Sequence, residues 1–189
     1  MATFIPVLNS CKSKMTPGEL RFATRLHTNL DEDFYCWFDI AIGGDKSRYP
    51  DFMILNADLG LLSIEVKDWK LDNIQSIDKF SVSLLVGGAV KRLANPMEQS
   101  RQCVYKIVQR LERDADLLRH TGRYQGQLKF PYGFGVVFPN ISSEQVASID
   151  GWDDLFPAHR VIYQDQMTES IDSDDFRGLI ENFFDVRFG

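Results

Sequence analysis

Tyr49-Pro50-Asp51-Phe52 opens the run Asp51 to Asn56 (DFMILN), which is answered by Gly60 to Lys67 (GLLSIEVK) across the connection Asn56-Ala57-Asp58-Leu59-Gly60. Both runs are apolar and β-compatible, and the link is rich in turn formers, so the stretch reads as a β-hairpin. A turn centred on Asp58 sets Asn56 against Gly60, and the same register puts Asp51 opposite Glu65, the two being equally far from the centre. Cross-strand partners share one face, with Cβ atoms about 4.5–5.5 Å apart. Strand alternation returns Lys67 to that face and sends Ile64 and Val66 the other way, into a core.

The spacing therefore predicts two carboxylates and one amine on a single sheet face. Two carboxylates 5 Å apart repel by about 3 kcal/mol at an effective dielectric near 20, and one lysine offsets this only in part. Mg²⁺ or Mn²⁺ would supply the missing charge, since hard cations take one or two carboxylates together with water and phosphate oxygens. A surface cluster in which Lys67 bridges two solvated acids has the same spacing. The context of a Pro-Asp-initiated strand, a tight hairpin and a strand ending in Glu-x-Lys favours the metal site.

At 189 residues, 44% hydrophobic and 12% aromatic, the chain is long enough to bury one good core, and residues 1–189 are expected to form a single domain. There is no apolar run near membrane-spanning length and no signal-like N-terminus, so a soluble, cytoplasmic protein is expected. Cys11, Cys36 and Cys103 are odd in number and unrelated in spacing, which argues against a disulfide framework and a zinc site. His27, His120 and His159 are equally scattered.

The net charge of −6 means that a nucleic acid would have to be held by local basic patches. Lys46 and Arg48 before the Asp51 strand, and Lys91 and Arg92 after a predicted hairpin, are the candidates. Lys106, Arg110 and Arg113 interleave with Glu112, Asp114 and Asp116 and read as a solvated helix face.

Thr16-Pro17-Gly18-Glu19 reads as a capping box with proline at the first helical position, opening a helix to about Leu30 with Phe22, Ala23, Leu26 and Leu30 on its apolar stripe. Glu19 shares that stripe and leans toward the sheet, so it can both cap and serve a site. Phe34 to Ile42 reads as a strand, followed by a Gly43-Gly44-Asp45 turn. Phe80 to Val86, Gly87-Gly88 and Ala89 to Leu93 make a second hairpin, and Asn95-Pro96-Met97-Glu98 starts the longest helix, to about His120. Gln99 lies near its start, where an amide can contact a ligand or bond the helix end. Tyr132 to Phe138 reads as a buried strand. Ser142 caps a short helix, Arg160 to Gln164 forms a strand, and a helix from about Ser173 carries Phe176, Leu179, Ile180, Phe183 and Phe184. This order implies a mixed sheet sandwiched by helices, an α/β fold.

Gly18-Glu19, Pro50-Asp51-Phe52, Gly60, Ile64-Glu65-Val66-Lys67-Asp68-Trp69 and Asn95-Pro96 with Gln99 together resemble the nuclease-related domain, NERD, of the PD-(D/E)XK nuclease superfamily. The resemblance covers roughly the first two thirds of the chain. It implies a restriction-endonuclease-like αβββαβ core, a divalent metal (Mg²⁺ or Mn²⁺) on Asp51 and Glu65, Lys67 as catalytic lysine, a metal-linked role for Glu19 and a supporting one for Gln99. It departs from related nucleases at Cys103, where a tyrosine stands four residues after the glutamine. Such domains are often joined to superfamily 1 helicases, so a helicase domain in the same or a longer polypeptide is an expected partner. The expected activity is hydrolysis of phosphodiesters in single- or double-stranded DNA, with Trp69 either stacking on a base or packing beside the sheet. The rival reading is a noncatalytic binding module that retains the fold.

Overall fold

The computed structural model describes residues 1–40 and 50–184. Its strands are β1 (Thr3–Phe4), β2 (Phe34–Phe38), β3 (Phe52–Asn56), β4 (Gly60–Val66), β5 (Ile74–Ile77), β6 (Ser81–Val86), β7 (Ala89–Ala94), β8 (Tyr132–Phe138) and β9 (Val161–Tyr163). The helices are α1 (Leu8–Cys11), α2 (Pro17–Asn29), α3 (Pro96–Leu111), α4 (Ser143–Val146), α5 (Trp152–Leu155) and α6 (Ser173–Glu181).

The hairpin β3–β4 lies at the middle of a six-stranded sheet of order β1-β2-β3-β4-β8-β9. β2, β3 and β4 run antiparallel to one another, whereas β1–β2, β4–β8 and β8–β9 pair in parallel, so the sheet is mixed as the element order predicts. Helices α2 and α6 cover one face. There Phe22, Leu26, Phe176 and Ile180 pack on Phe52, Ile54, Leu62 and Ile64. Each such aromatic or aliphatic side chain, fully withdrawn from water, contributes about 1.5–3 kcal/mol. The long helix α3 covers the other face, where Ile107 meets Met53 and Leu61, and Met97 joins an aromatic group of Phe138, Trp152, Phe156 and Tyr163. A second, three-stranded sheet, β5-β6-β7, is inserted in the chain between β4 and α3.

Local chemistry sets several boundaries. Thr16 and Glu19 form the reciprocal capping box that starts α2, and the Asn95 side chain accepts from the Met97 N–H to start α3. The strand expected over Phe34 to Ile42 ends at Phe38, where Asp39 takes a left-handed φ of 50°. The expected Gly43-Gly44-Asp45 turn lies outside the described residues. Helix α3 stops at Leu111 rather than near His120. Asp114 turns extended and its carboxylate accepts from the Asp116 N–H, while Leu118 pairs with Leu128. Its apolar period continues in sequence but is satisfied by this return strand. Cys11, Cys36 and Cys103, in α1, β2 and α3, are all buried and none is in a disulfide. No helix among the described residues is long and apolar enough to cross a membrane.

Candidate active site

The register of β3 and β4 pairs Asn56 with Gly60 and Phe52 with Ile64, so one further step along the strands sets Asp51 across from Glu65. Two devices hold that register. The Asn56 side-chain oxygen accepts from the N–H groups of Asp58 and Leu59 at 2.9 and 3.0 Å, and Gly60 turns with a φ of 101° against the carbonyl of Pro131, where a Cβ would collide. Asp51 is fixed at the strand entrance from two sides. Its Oδ2 accepts from the Val66 N–H at 2.7 Å, and its carbonyl accepts from the Asp39 N–H at 3.0 Å.

Lys67 returns to the same face, as alternation requires. Its Nζ lies 2.8 Å from Glu65 Oε2 and 3.5 Å from Asp51 Oδ2. The Glu65 carboxylate is wholly buried, which excludes the solvated surface cluster, and its Oε1 has no hydrogen-bond partner. Burial pushes the Glu65 carboxyl up to about 8, Lys67 pulls against that rise, and Asp51 adds to it. Burial also works against the Lys67 charge, but Glu65 and Asp51 outweigh it and hold the ammonium above its usual range.

Glu19 stands at the first turn of α2 with its Oε2 accepting from the Thr16 N–H at 2.7 Å. Burial raises its carboxyl, the Thr16 bond lowers it, and the charge of Asp51 raises it again, so Glu19 senses the site electrostatically while it caps. The helix end itself is clamped beside Lys67. The Gly18 N–H donates to Asp68 Oδ2 at 3.1 Å, and Asn140 Nδ2 donates to the Asp68 carbonyl at 3.0 Å. A Cβ on Gly18 would strike the Asp68 carboxylate and the Pro139 ring.

On the face that carries Glu65 and Lys67, α3 is tied to β4 by Ser100, whose hydroxyl donates to the Ser63 carbonyl at 2.7 Å. Gln99 is the preceding residue and is half-buried. Cys103, at the position where related nucleases carry tyrosine, is buried in α3. Tyr105 is turned outward against Tyr132 and Phe134. Trp69 packs its ring on Phe138, with centroids 6.2 Å apart. Lys91 and Arg92 lie on β7, all of whose residues are exposed, and Lys46 and Arg48 fall outside the described residues. Sequence reasoning did not single out Asp39, Ser63 or Ser100. A serine inside each of two core-facing runs was the available signal for the last two, since a buried hydroxyl needs a partner.

These residues fit a hard divalent cation on one point. A buried carboxylate oxygen without a donor, beside a second carboxylate, is costly unless a proton or a further cation joins it, and a divalent cation would take the place of the proton that Glu65 otherwise retains. Among the described residues no group of three or more His, Cys, Asp or Glu is arranged to hold a metal ion, so the candidate set is the Asp51–Glu65 pair.

No curated protein and no solved structure matches the chain. Residues 14–132, more than half of its 189 residues, match the family model NERD, described as the nuclease-related domain, and that span includes α2, the Asp51–Lys67 hairpin and α3. The chain belongs to the nuclease-related domain family.

Proposed function

We propose that this protein is a divalent-metal-dependent nuclease that hydrolyses DNA phosphodiesters at Asp51, Glu65 and Lys67. The observation that carries the reading is the orphaned, buried Oε1 of Glu65 beside Asp51 and Lys67, on a hairpin whose register is fixed at both ends. Asp51 and Glu65 would hold Mg²⁺ or Mn²⁺. A bound ion of this kind polarises a phosphoryl oxygen and lowers the pKa of a coordinated water.

The protein's own groups do the rest. Lys67 donates hydrogen bonds to the attacking water or to the phosphoryl oxygens as negative charge grows on them in the transition state. Asp51, pinned by the Val66 N–H, keeps its carboxylate from swinging away as the substrate phosphate approaches. Glu19 contributes a third, more distant negative charge while remaining in the capping box. Gln99, half-buried one residue before the Ser100 anchor, would have the supporting role that the resemblance gives it.

The test is cleavage of plasmid and single-stranded DNA by purified protein in Mg²⁺ or Mn²⁺, with EDTA and Glu65→Ala as controls and an RNA strand as an alternative substrate. Cleavage that needs both the metal and Glu65 supports the reading. Absence of cleavage together with absence of Mn²⁺ binding by calorimetry overturns it and leaves the noncatalytic binding module, which the net charge of −6 favours.

A further inference from the structure

The inserted hairpin β6–β7 has a composition unlike that of the chain around it. From Lys79 to Met97 there are three basic residues, Lys79, Lys91 and Arg92, and no acidic one, in a protein whose net charge is −6. The strand β7 is an edge strand with all six residues exposed. β5 pairs with β6 only as far as Leu84, so beyond that point the structure is a two-stranded ribbon, Leu85-Val86 against Ala89-Val90. It closes through Gly87 and Gly88, both at positive φ, and a Cβ added at either would meet nothing within 4 Å. The ribbon tip therefore projects into solvent.

Its root is fixed at the catalytic end of the sheet. The chain leaves β4 at Lys67 to enter this insertion and leaves the insertion at Asn95, the cap of the helix that carries Gln99. Asn95 is buried and ties the two together, its N–H donating to the Phe80 carbonyl at 2.9 Å and its Nδ2 to the Asp78 carbonyl at 2.8 Å. At the same root Lys79 lines a cavity of about 290 Å³ with Arg101 and Arg160 as well as Glu98 and Asp154, Arg101 being paired with Glu98, so the excess of basic character belongs to the hairpin alone.

Three kinds of occupant suit an exposed, partly apolar edge ribbon: a second copy of the chain, a single strand and a duplex. Antiparallel pairing of two β7 strands about their centre would set Lys91 and Arg92 against the same cations of the other copy, which is unfavourable. Single strands are held on several aromatic platforms, and from Lys79 to Met97 there is one aromatic side chain, the exposed Phe80 at the base, and none on residues 81–94. A two-stranded ribbon fits the major groove of B-form DNA. Lys91 and Arg92 sit at the base of the ribbon, opposite Leu84 and Ser83 where β5 still pairs with β6; both are exposed and leave opposite faces, so they flank the uncharged tip and can meet phosphates as it enters a groove. Arg92 is pre-positioned by Ser81, to which its Nε donates at 3.0 Å, and by Asp78, whose Oδ2 lies 3.9 Å from its guanidinium in an exposed pair that a phosphate would have to replace.

We propose that the β6–β7 ribbon is a duplex-binding arm: it enters the major groove of double-stranded DNA, with Lys91 and Arg92 on the flanking phosphates, and thereby presents duplex rather than single-stranded substrate to the site. This proposal rests on the nuclease reading for its biological sense, but its test does not. Fluorescence anisotropy of a labelled 20-base-pair duplex and of its single strand, in EDTA over a salt series, is measured with the full chain, with Lys91→Ala/Arg92→Ala, and with Lys106→Ala/Arg110→Ala, which removes the same charge from the exposed face of α3.

The wild type is expected to prefer the duplex. The ribbon variant should bind it about tenfold more weakly or worse, with a salt slope smaller by about 2, and the α3 variant should change little. An unchanged ribbon variant, an equal loss in the α3 variant, tighter binding of the single strand, or a wild-type dimer that the ribbon variant dissociates would each overturn it. Hydrolysis of bis(p-nitrophenyl) phosphate by the wild type in Mn²⁺ reads the catalytic centre separately. Hydrolysis without ribbon-dependent duplex binding sinks the arm alone, and ribbon-dependent binding without any hydrolysis sinks the nuclease reading alone.

Discussion

Glu65 is the residue on which burial, charge and chemistry disagree most, and that conflict is measurable without a substrate. In the metal-free protein its carboxyl is raised from an ordinary 4.5 to about 8, so between these values the folded state keeps a proton that the unfolded chain has lost. Stability from this group is then complete below pH 4.5, falls as pH rises through the window, and levels off above about 8. Urea midpoints at several pH values in EDTA should show that decline, and Glu65→Gln should flatten it; an unchanged profile in the variant would assign the slope elsewhere. Protons and a divalent cation compete for the same oxygens, so Mn²⁺ affinity should rise over the same window. Lys67→Ala should lower kcat by about 10²- to 10³-fold, the usual effect of removing one donor aimed at developing transition-state charge. A KM change with kcat intact would instead make Lys67 a ground-state binding group.

Secondary elements reach the site through their ends, and this governs both the mutations that matter and what sequence could reveal. Gly18→Ala at the start of α2 pushes a methyl into Asp68 and Pro139, and it should cost about 1–3 kcal/mol in denaturant unfolding. No measurable loss would mean that the Asp68 clamp gives way freely. Ser100→Ala should cost about 1 kcal/mol through the lost bond to the Ser63 carbonyl. The hairpin register and the caps at Thr16 and Asn95 were legible in sequence because each is decided by residues a few positions apart. The same locality made Asp51 across from Glu65 legible. The end of α3 was not, because Ala115 and Leu118 continue its apolar period and only a distant segment, around Leu128, shows why the helix stops. The short strands β1 and β5 were hidden for a similar reason, their pairing being set by the neighbouring strands β2 and β6. In β8, Gly133 and Gly135 look like strand breakers, yet they leave the room that Phe183 occupies.

At the scale of the whole molecule, the helical layers on the two sheet faces form apolar cores distinct from the Asp51–Glu65 pair. Metal should therefore stabilise a fold that exists without it. At 100 times its Kd a bound ion adds about 2.7 kcal/mol, or roughly 5–10 °C in Tm for a chain of this size, a shift that differential scanning fluorimetry would detect and that Glu65→Ala should abolish. EDTA should leave the far-UV circular dichroism native. The three buried cysteines give these layers a chemical clock. Cys11, Cys36 and Cys103 belong to the N-terminal segment, the central sheet and the α3 layer respectively, and burial pushes the Cys36 thiol up to about 12. A thiol reagent attacks the thiolate, so each can be labelled only while its own layer is open to water. Mass spectrometry of timed alkylation would then rank the layers by how readily they come apart, with Cys36 expected last, using reporters that the natural chain already carries.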